Sequence, residues 1–472
     1  MAHHEGLIGR EREQDELQSA LADAKEGRGG LLLLAGDAGV GKTSLAESAL
    51  KQSDLFILRA NNGPETSLPY GPITAILRAY LRLSPNSLAE CGRLYTYLAV
   101  LLPELGAPPP DADRATLFEA IRCALEIIAH REPTAAFIDD LQWADNTTLD
   151  LLPALAASLE HEKILIVGAY RSDEIPRGHP LRRMRSELRR KGLLREINVD
   201  PLGRDDTTTL AARALAGAPT PSLAATIYDR TQGLPFFVEE LASALAASGR
   251  VQQSKAGVEL IGSADLPIPH TVRDAVLLRA EKLSAAARQA LEAAAALGVQ
   301  FDLELAAELA GSEAGLGEAI ESGLAVEVEP GRGAFRHALT REAIYGDINW
   351  ARRRALHREV AARLESRGAP PGVVAEHWLA GREVVKARQA FVVSAEKSCG
   401  VHAYRDAARA ARQALEIWPD GEDESQRLDV LDRLGSCAQL NGDMAEAARA
   451  WREVAEQRRQ AEVWPRFADT QR

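Results

Sequence analysis

The stretch Leu31-Leu-Leu-Leu-Ala-Gly36-Asp-Ala-Gly-Val-Gly41-Lys42-Thr43 decides the fold. Its aliphatic opening reads as a strand buried on both faces, and Gly36 to Thr43 fit the pattern G-x-x-x-x-G-K-[ST]. A helix is expected to begin near Thr43. A glycine-rich loop between strand and helix turns backbone N–H groups toward phosphate oxygens. Lys42 then serves as the point charge on the β and γ oxygens, and Thr43 as a ligand to Mg²⁺. Gly36, Asp37, Ala38, Gly39, Val40, Gly41, Lys42 and Thr43 are therefore the expected cradle for ATP or ADP.

Further along, Ala135-Ala-Phe-Ile138-Asp139-Asp140 is an apolar run closed by two acids. Downstream of a P-loop, such a pair supplies the second metal motif. Asp139 would orient Mg²⁺ through water, and Asp140 would polarise the attacking water. The run Ile164 to Ala169 leads into Tyr170-Arg171, placing an arginine at the carboxyl end of another strand. Arg171 either reads the γ-phosphate or pairs with Asp173 or Glu174. With Phe56 to Arg59 and Leu194 to Val199 there are five expected strands, alternating with helical stretches. That pattern predicts an α/β P-loop NTPase domain, a five-stranded parallel sheet with helices on both faces.

Around this domain (29–200) the chain divides into a short N-terminal segment (1–28) and three later parts. Residues 201–265 read as a helical subdomain closed by a Gly- and Ser-containing connector, Gly257 to Ser263. In 266–350, helical patterns from Pro269 to Ala310 precede a hairpin from Leu324 to Phe335, which suggests a winged helix. Leu266 to Trp350 carry seven Lys or Arg against thirteen Asp or Glu, a poor surface for phosphate backbones, so a structural or nucleotide-sensing role is expected over DNA binding. Residues 351–472 are almost all helical. There His402-Ala-Tyr-Arg-Asp-Ala-Ala-Arg matches Gly442-Asp-Met-Ala-Glu-Ala-Ala-Arg, a spacing that suggests tetratricopeptide-like repeats; an Ala-rich bundle is the alternative.

The bulk properties narrow the function. A chain of 472 residues holds several domains, and a net charge of −12 argues against wrapping nucleic acid. The amino terminus has no apolar stretch of signal-peptide type, and the longest aliphatic run is far short of a membrane span. Cys91, Cys123, Cys399 and Cys437 lie far apart in sequence without metal-ligand spacing, so buried free thiols in a reducing cytoplasm are expected.

Taken together, Leu7-Ile-Gly-Arg-Glu, the P-loop, Ile138-Asp-Asp-Leu-Gln-Trp-Ala-Asp145, Gly168-Ala-Tyr-Arg171, Gly233-Leu-Pro-Phe-Phe and Phe335-Arg-His337-Ala-Leu resemble the STAND branch of AAA-type ATPases. More narrowly, they are similar to the ATPase half of large LuxR-type transcription activators and of related cyclase-linked proteins. The resemblance implies that Ile8 and Gly9 lie against the adenine, that Pro235 closes over it, and that His337 contacts the β-phosphate in a closed ADP form. A satisfied structural histidine is the other reading of His337. Gln142 stands where relatives commonly have His. Large LuxR-type activators end in a basic helix-turn-helix; none is read between Ala351 and Arg472, so a fragment or short form is expected. The resemblance further implies a slowly hydrolysing switch, an inducer or protein partner at the repeats, and an ATP-driven homo-oligomer. A force-producing AAA machine and a partner-binding scaffold remain the competing classes.

Overall fold

The computed structural model describes residues 7–63, 68–110, 112–247, 249–254, 257–261 and 271–469, with side chains to residue 459. Its first module is built from α1 (Glu11–Lys25), β1 (Gly30–Gly36), α2 (Lys42–Gln52), β2 (Phe56–Asn61), α3 (Gly71–Leu83), α4 (Arg114–Arg131), β3 (Thr134–Asp139), α5 (Asn146–Ser158), β4 (Ile164–Arg171), α6 (Pro180–Arg190) and β5 (Arg195–Asn198). The five strands form one parallel sheet in the order β2-β3-β4-β1-β5. All five lie where the aliphatic runs predict them. The runs of β1, β3 and β4 bury both faces of the strand, while the edge strands β2 and β5 are partly exposed; each fully buried Leu or Ile contributes about 1.5–3 kcal/mol.

Side chains of the sheet divide between two cores. Leu31, Leu33, Ala136, Ile138 and Ile166 pack beneath α3, α4, α5 and α6, while Leu32, Leu34, Phe137, Leu165 and Val167 pack beneath α1 and α2. Gly168 of β4 is required by packing: a Cβ there would collide with Leu141, the first residue of a 3₁₀ turn (Leu141–Trp143) that follows Asp140. The missing side chain lets that turn lie flat on the sheet.

The next module holds α7 (Arg204–Ala214), α8 (Pro221–Thr231) and α9 (Pro235–Ala247) around Leu210, Ile227, Phe237 and Leu241. The expectation of helices ending in a connector is corrected here. Two short strands, β6 (Val251–Ser254) and β7 (Gly257–Leu260), pair antiparallel, with β7 inside the expected connector and β6 just before it. Gly262, Ser263 and the expected boundary at 265 and 266 lie outside the described residues.

The chain continues with α10 (Val272–Ala280), α11 (Ala285–Leu297), β8 (Gln300–Asp302), α12 (Leu303–Ala310), α13 (Glu313–Glu321), β9 (Ala325–Glu329), β10 (Arg332–Phe335) and α14 (Ala338–Asp347). The hairpin β9–β10 falls where it was expected, and β8 adds a third strand on β10, inside a stretch read as helical. Helices follow to the last described residue: α15 (Trp350–Ser366), α16 (Pro371–Ala380), α17 (Val384–Gly400), α18 (Tyr404–Glu416), α19 (Glu424–Leu440) and α20 (Met444–Asp469). Ala407, Ala411, Ala414 and Cys437 sit at zero exposure, small side chains that let neighbouring helices approach closely. Cys399 and Cys437, distant in sequence, come together with sulfurs 3.3 Å apart, both as free thiols. Among the described residues no helix is long and apolar enough to cross a membrane.

Candidate functional site

β1 ends in the loop Gly36–Gly41, and Gly41 caps α2 at φ 99°, a conformation that L side chains rarely adopt. Gly39 has a different task. A Cβ there would press on Leu339 at 3.0 Å and Phe236 at 3.1 Å, so its bare backbone admits two later modules to the loop. Phe236 N–H also donates to Gly39 O at 3.2 Å.

Lys42 is 7% exposed and donates from Nζ to the carbonyls of Gly36 and Asp37, each at 2.8 Å. Burial pushes its ammonium pKa down, with Asp139 opposing. An anion at that ammonium would relieve the strain of keeping it charged. Thr43 Oγ1 donates to Asp139 Oδ2 at 2.7 Å, joining the start of α2 to the end of β3. Burial first, then the neighbouring Asp140 charge, pushes the Asp139 carboxyl up to about 7. A hydroxyl and a carboxylate short of positive charge form an oxygen donor pair suited to a hard cation such as Mg²⁺.

Asp140 takes the left-handed conformation at φ 52°, a strain of about 1–3 kcal/mol in a residue other than glycine. Its Oδ1 accepts from Gln142 Nε2 at 2.7 Å and lies 3.4 Å from Arg171 Nε. Gln142 Oε1 in turn accepts from the Arg171 N–H at 3.1 Å. The glutamine thus ties Asp140 to the end of β4.

Arg171, 5% exposed, lies over the Trp143 ring at 4.7 Å, pairs with Glu174, and reaches Glu342 of α14 at 3.0 Å. Burial opposes its charge, but Asp140, Glu174 and Glu342 outweigh burial and the guanidinium pKa rises. Asp173, the other carboxylate expected beside it, makes no ion pair with it among the described residues.

The remaining expected residues sit around the loop. Pro235 opens α9 beside Phe236, whose ring lies 4.2 Å from that of His337, the residue preceding α14. Burial, helped by Arg336 and Arg279, pushes the His337 pKa down to about 4, so the ring is neutral at ordinary pH and offers one N–H donor. Ile8 packs against the α7–α9 core, and a Cβ on Gly9 would collide with the Asp206 carboxyl. These two residues therefore lie where the sheet module meets the helical module.

Five contributors were not foreseen. Arg10 donates to Val40 O at 2.9 Å and fastens the N-terminal segment to the loop. Asn62, just after β2, donates from Nδ2 to Asp139 O at 2.8 Å. Gln142, Phe236 and Glu342 complete the set. Arg10, Gln142 and Phe236 stand inside the quoted motifs; Asn62 and Glu342 carry no local signal.

Residues 6–167 match the AAA ATPase domain family. This module is accordingly an AAA-type P-loop ATPase domain, a class that binds nucleotide. Among solved structures, a Signal Transduction ATPase with Numerous Domains (STAND) protein with a tetratricopeptide repeat sensor from Pyrococcus horikoshii shares the fold over 98% of this chain and 66% of its own, at a TM-score of 0.54 and 15% identity. A Walker-type ATPase of Pyrococcus abyssi aligns over 72% of this chain and 97% of its own, at a TM-score of 0.37 and 14% identity. A curated relative, an uncharacterized protein of Rhizobium meliloti, is 25% identical over 463 residues, 87% of this chain. The chain spans 42% of that relative's length.

Proposed function

We propose that this chain is a nucleotide-operated signalling switch of the STAND type that hydrolyses ATP slowly. The observation that carries the reading is convergence: Phe236 of α9, His337 and Glu342 at α14, and the catalytic-type pair Asp139–Asp140 all meet at one loop and one arginine. A carboxylate of a later module on Arg171 occupies the partner position that a γ-phosphate would take. Nucleotide state and module placement would then compete for one cation, which is how a bistable element is biased by a ligand.

In this reading the Gly36–Thr43 loop holds the phosphates, with Lys42 as their counter-charge. Thr43 and Asp139 would hold Mg²⁺, which neutralises phosphate charge when bound. Asp140, positioned by Gln142, orients and polarises water. Ile8, Gly9 and Pro235 form the adenine side, and His337 donates to the β-phosphate of ADP. The quoted motifs favour the ATPase half of a LuxR-type regulator, with an inducer or protein partner at the helical repeats and an ATP-driven oligomer. The acid excess of Leu266 to Trp350 supports a lid role for that module over DNA contact.

The test is nucleotide binding by Lys42→Ala. Losing a buried charge-assisted contact costs about 2–5 kcal/mol, so ATP affinity should fall by roughly thirtyfold or more while the melting temperature of the apo protein holds. Calorimetric titration reads the first and thermal melting the second. Wild-type affinity in the variant would end the P-loop assignment. Mass spectrometry of denatured wild-type protein should also find ADP carried through purification.

A further inference from the structure

The N-terminus of α5 is gripped twice. Asp145, 2% exposed, caps it from within: Oδ1 accepts from the N–H groups of Thr148 at 2.8 Å and Tyr70 at 3.0 Å, and Oδ2 from the Thr148 hydroxyl at 2.5 Å. The second grip comes from the helical repeats. Asp406, in the first turn of α18 and 4% exposed, accepts at Oδ1 from Asn146 N–H at 3.4 Å and Asn146 Nδ2 at 3.1 Å. Its Oδ2 accepts from Thr147 N–H at 3.3 Å and Thr147 Oγ1 at 2.8 Å. Four donors converge on one buried carboxylate, and the helix N-terminus favours its charge.

The contact is seated firmly. Ala403, at zero exposure, belongs to the core of the sheet module, and Arg405 pairs with Asp150 of α5 at 3.1 Å. Only Leu141-Gln-Trp-Ala144 stand between Asp140 and Asp145, and Gln142 within that turn holds the Asp140 carboxylate. Whatever fixes the start of α5 fixes one end of this turn.

We propose that Asp406 is a positioning residue for hydrolysis: through it the helical repeats hold the Asp139–Asp145 segment in register with the P-loop, and turnover follows the placement of α18. The inference rests on the switch reading above. It makes the repeats a reporter to the nucleotide edge by a route that bypasses the modules lying on the loop itself.

The experiment compares Asp406→Ala, Asp406→Asn and Thr147→Val with Arg405→Ala in the full chain, by single-turnover ATP hydrolysis, MgATP affinity and backbone hydrogen exchange without nucleotide. Asp406→Ala should slow turnover about tenfold while MgATP affinity stays within about threefold, the signature of lost positioning. Amides from Gln142 to Thr147 should exchange faster. Asp406→Asn, which keeps one acceptor oxygen, should fall between, and Thr147→Val should move the same way from the opposite partner. Arg405→Ala, which loosens the same interface without touching the cap, should leave turnover within about twofold. Equal effects of Asp406→Ala and Arg405→Ala, or a loss of turnover matched by loss of affinity, would reduce Asp406 to interface packing and overturn the proposal. If Asp406→Ala does not fold by circular dichroism, the Asn and Thr147 variants carry the decision. If wild type binds ATP but never hydrolyses it, the hydrolytic part of the switch reading fails separately; exchange at Gln142 and Trp143 then decides alone, and wild-type rates there in the variants sink the role of Asp406.

Discussion

Beyond the sheet module itself, α14 and α18 both reach the segment from Asp139 to Thr148, and the two contacts differ in kind. At the loop side, α14 reaches it through Glu342 on Arg171, an ion cluster whose carboxylates are 21–44% exposed. At the far side, α18 reaches it through Asp406, a 4% exposed carboxylate bound by neutral N–H and hydroxyl donors at 2.8–3.4 Å, with the Arg409 guanidinium of its own helix more distant at 4.0 Å. An ion cluster near solvent is screened by salt and can trade one anion for another. A buried cap offers no such exchange, because removing its acceptor strands the donors. Exchangeable contacts therefore lie where phosphates would bind, and fixed ones lie where a module is anchored.

The sharpest break at the loop side is Asp140→Asn. If Asp140 activates water, turnover should fall about a hundredfold or more while ATP stays bound. Rapid-quench assays with an ATP-binding control read both, and undiminished turnover would move the base elsewhere.

Next in size is a break between the two contacts. Tyr345 of α14 meets His357 Nε2 at 2.7 Å, and His357 Nδ1 meets His377 Nδ1 at 2.9 Å, linking α14 to α15 and α16. Burial, then Arg341 and Arg353, pushes His357 down to about 4; burial, then His357 and Arg341, pushes His377 down to about 3. Both pKa values are depressed on folding, so the unfolded chain binds protons first as pH falls. Stability from this pair is full above the ordinary histidine pKa of about 6.5 and is lost as pH drops toward 4, by about 2 kcal/mol per ring at pH 5. Thermal melting between about pH 7 and pH 5 should show it, with His357→Gln flattening the slope.

His337→Ala tests the nucleotide side of the loop contact. A hydrogen bond to a charged phosphate contributes about 1.5–3 kcal/mol, so ADP affinity should drop roughly ten- to a hundredfold with ATP less affected. An unchanged ADP to ATP ratio by titration would leave His337 as a partner of Phe236 alone. The smallest effect separates the two contacts directly. Glu342→Ala should lower stability by less than about 1 kcal/mol, an effect erased near 1 M salt, whereas the loss from Thr147→Val should survive the salt.

The sheet and its edge were legible because they are written locally. An aliphatic run followed by Gly-x-x-x-x-Gly-Lys-Thr, or by Asp-Asp, carries both its strand and its chemistry within a dozen residues. β6 and β7 escaped because Val251-Gln-Gln-Ser and Gly257-Val-Glu-Leu are only four residues each, and β8 because its three residues, squeezed between the Gly298 cap of α11 and the Asp302 cap of α12, are too few to show an alternation. Asp406 was hidden more thoroughly. In an Ala- and Arg-rich helix it looks like a surface partner for Arg409, while its donors stand 259 and 260 residues away. Gln142 stood out only by the resemblance, and its bonds to Asp140 and Arg171 are set by the turn it sits in.

That separation of 260 residues also orders events during synthesis. Domains made first tend to fold first, at about 5–20 residues per second, so α5 leaves the ribosome roughly 13–50 s before the carboxylate that completes its start. Through that interval Asp145 caps the helix alone and the seat of Ala403 stands open. The nascent ATPase domain would therefore pass through a state with a looser Asp139–Asp145 segment, and arrival of α18 would close the last contact that tunes it.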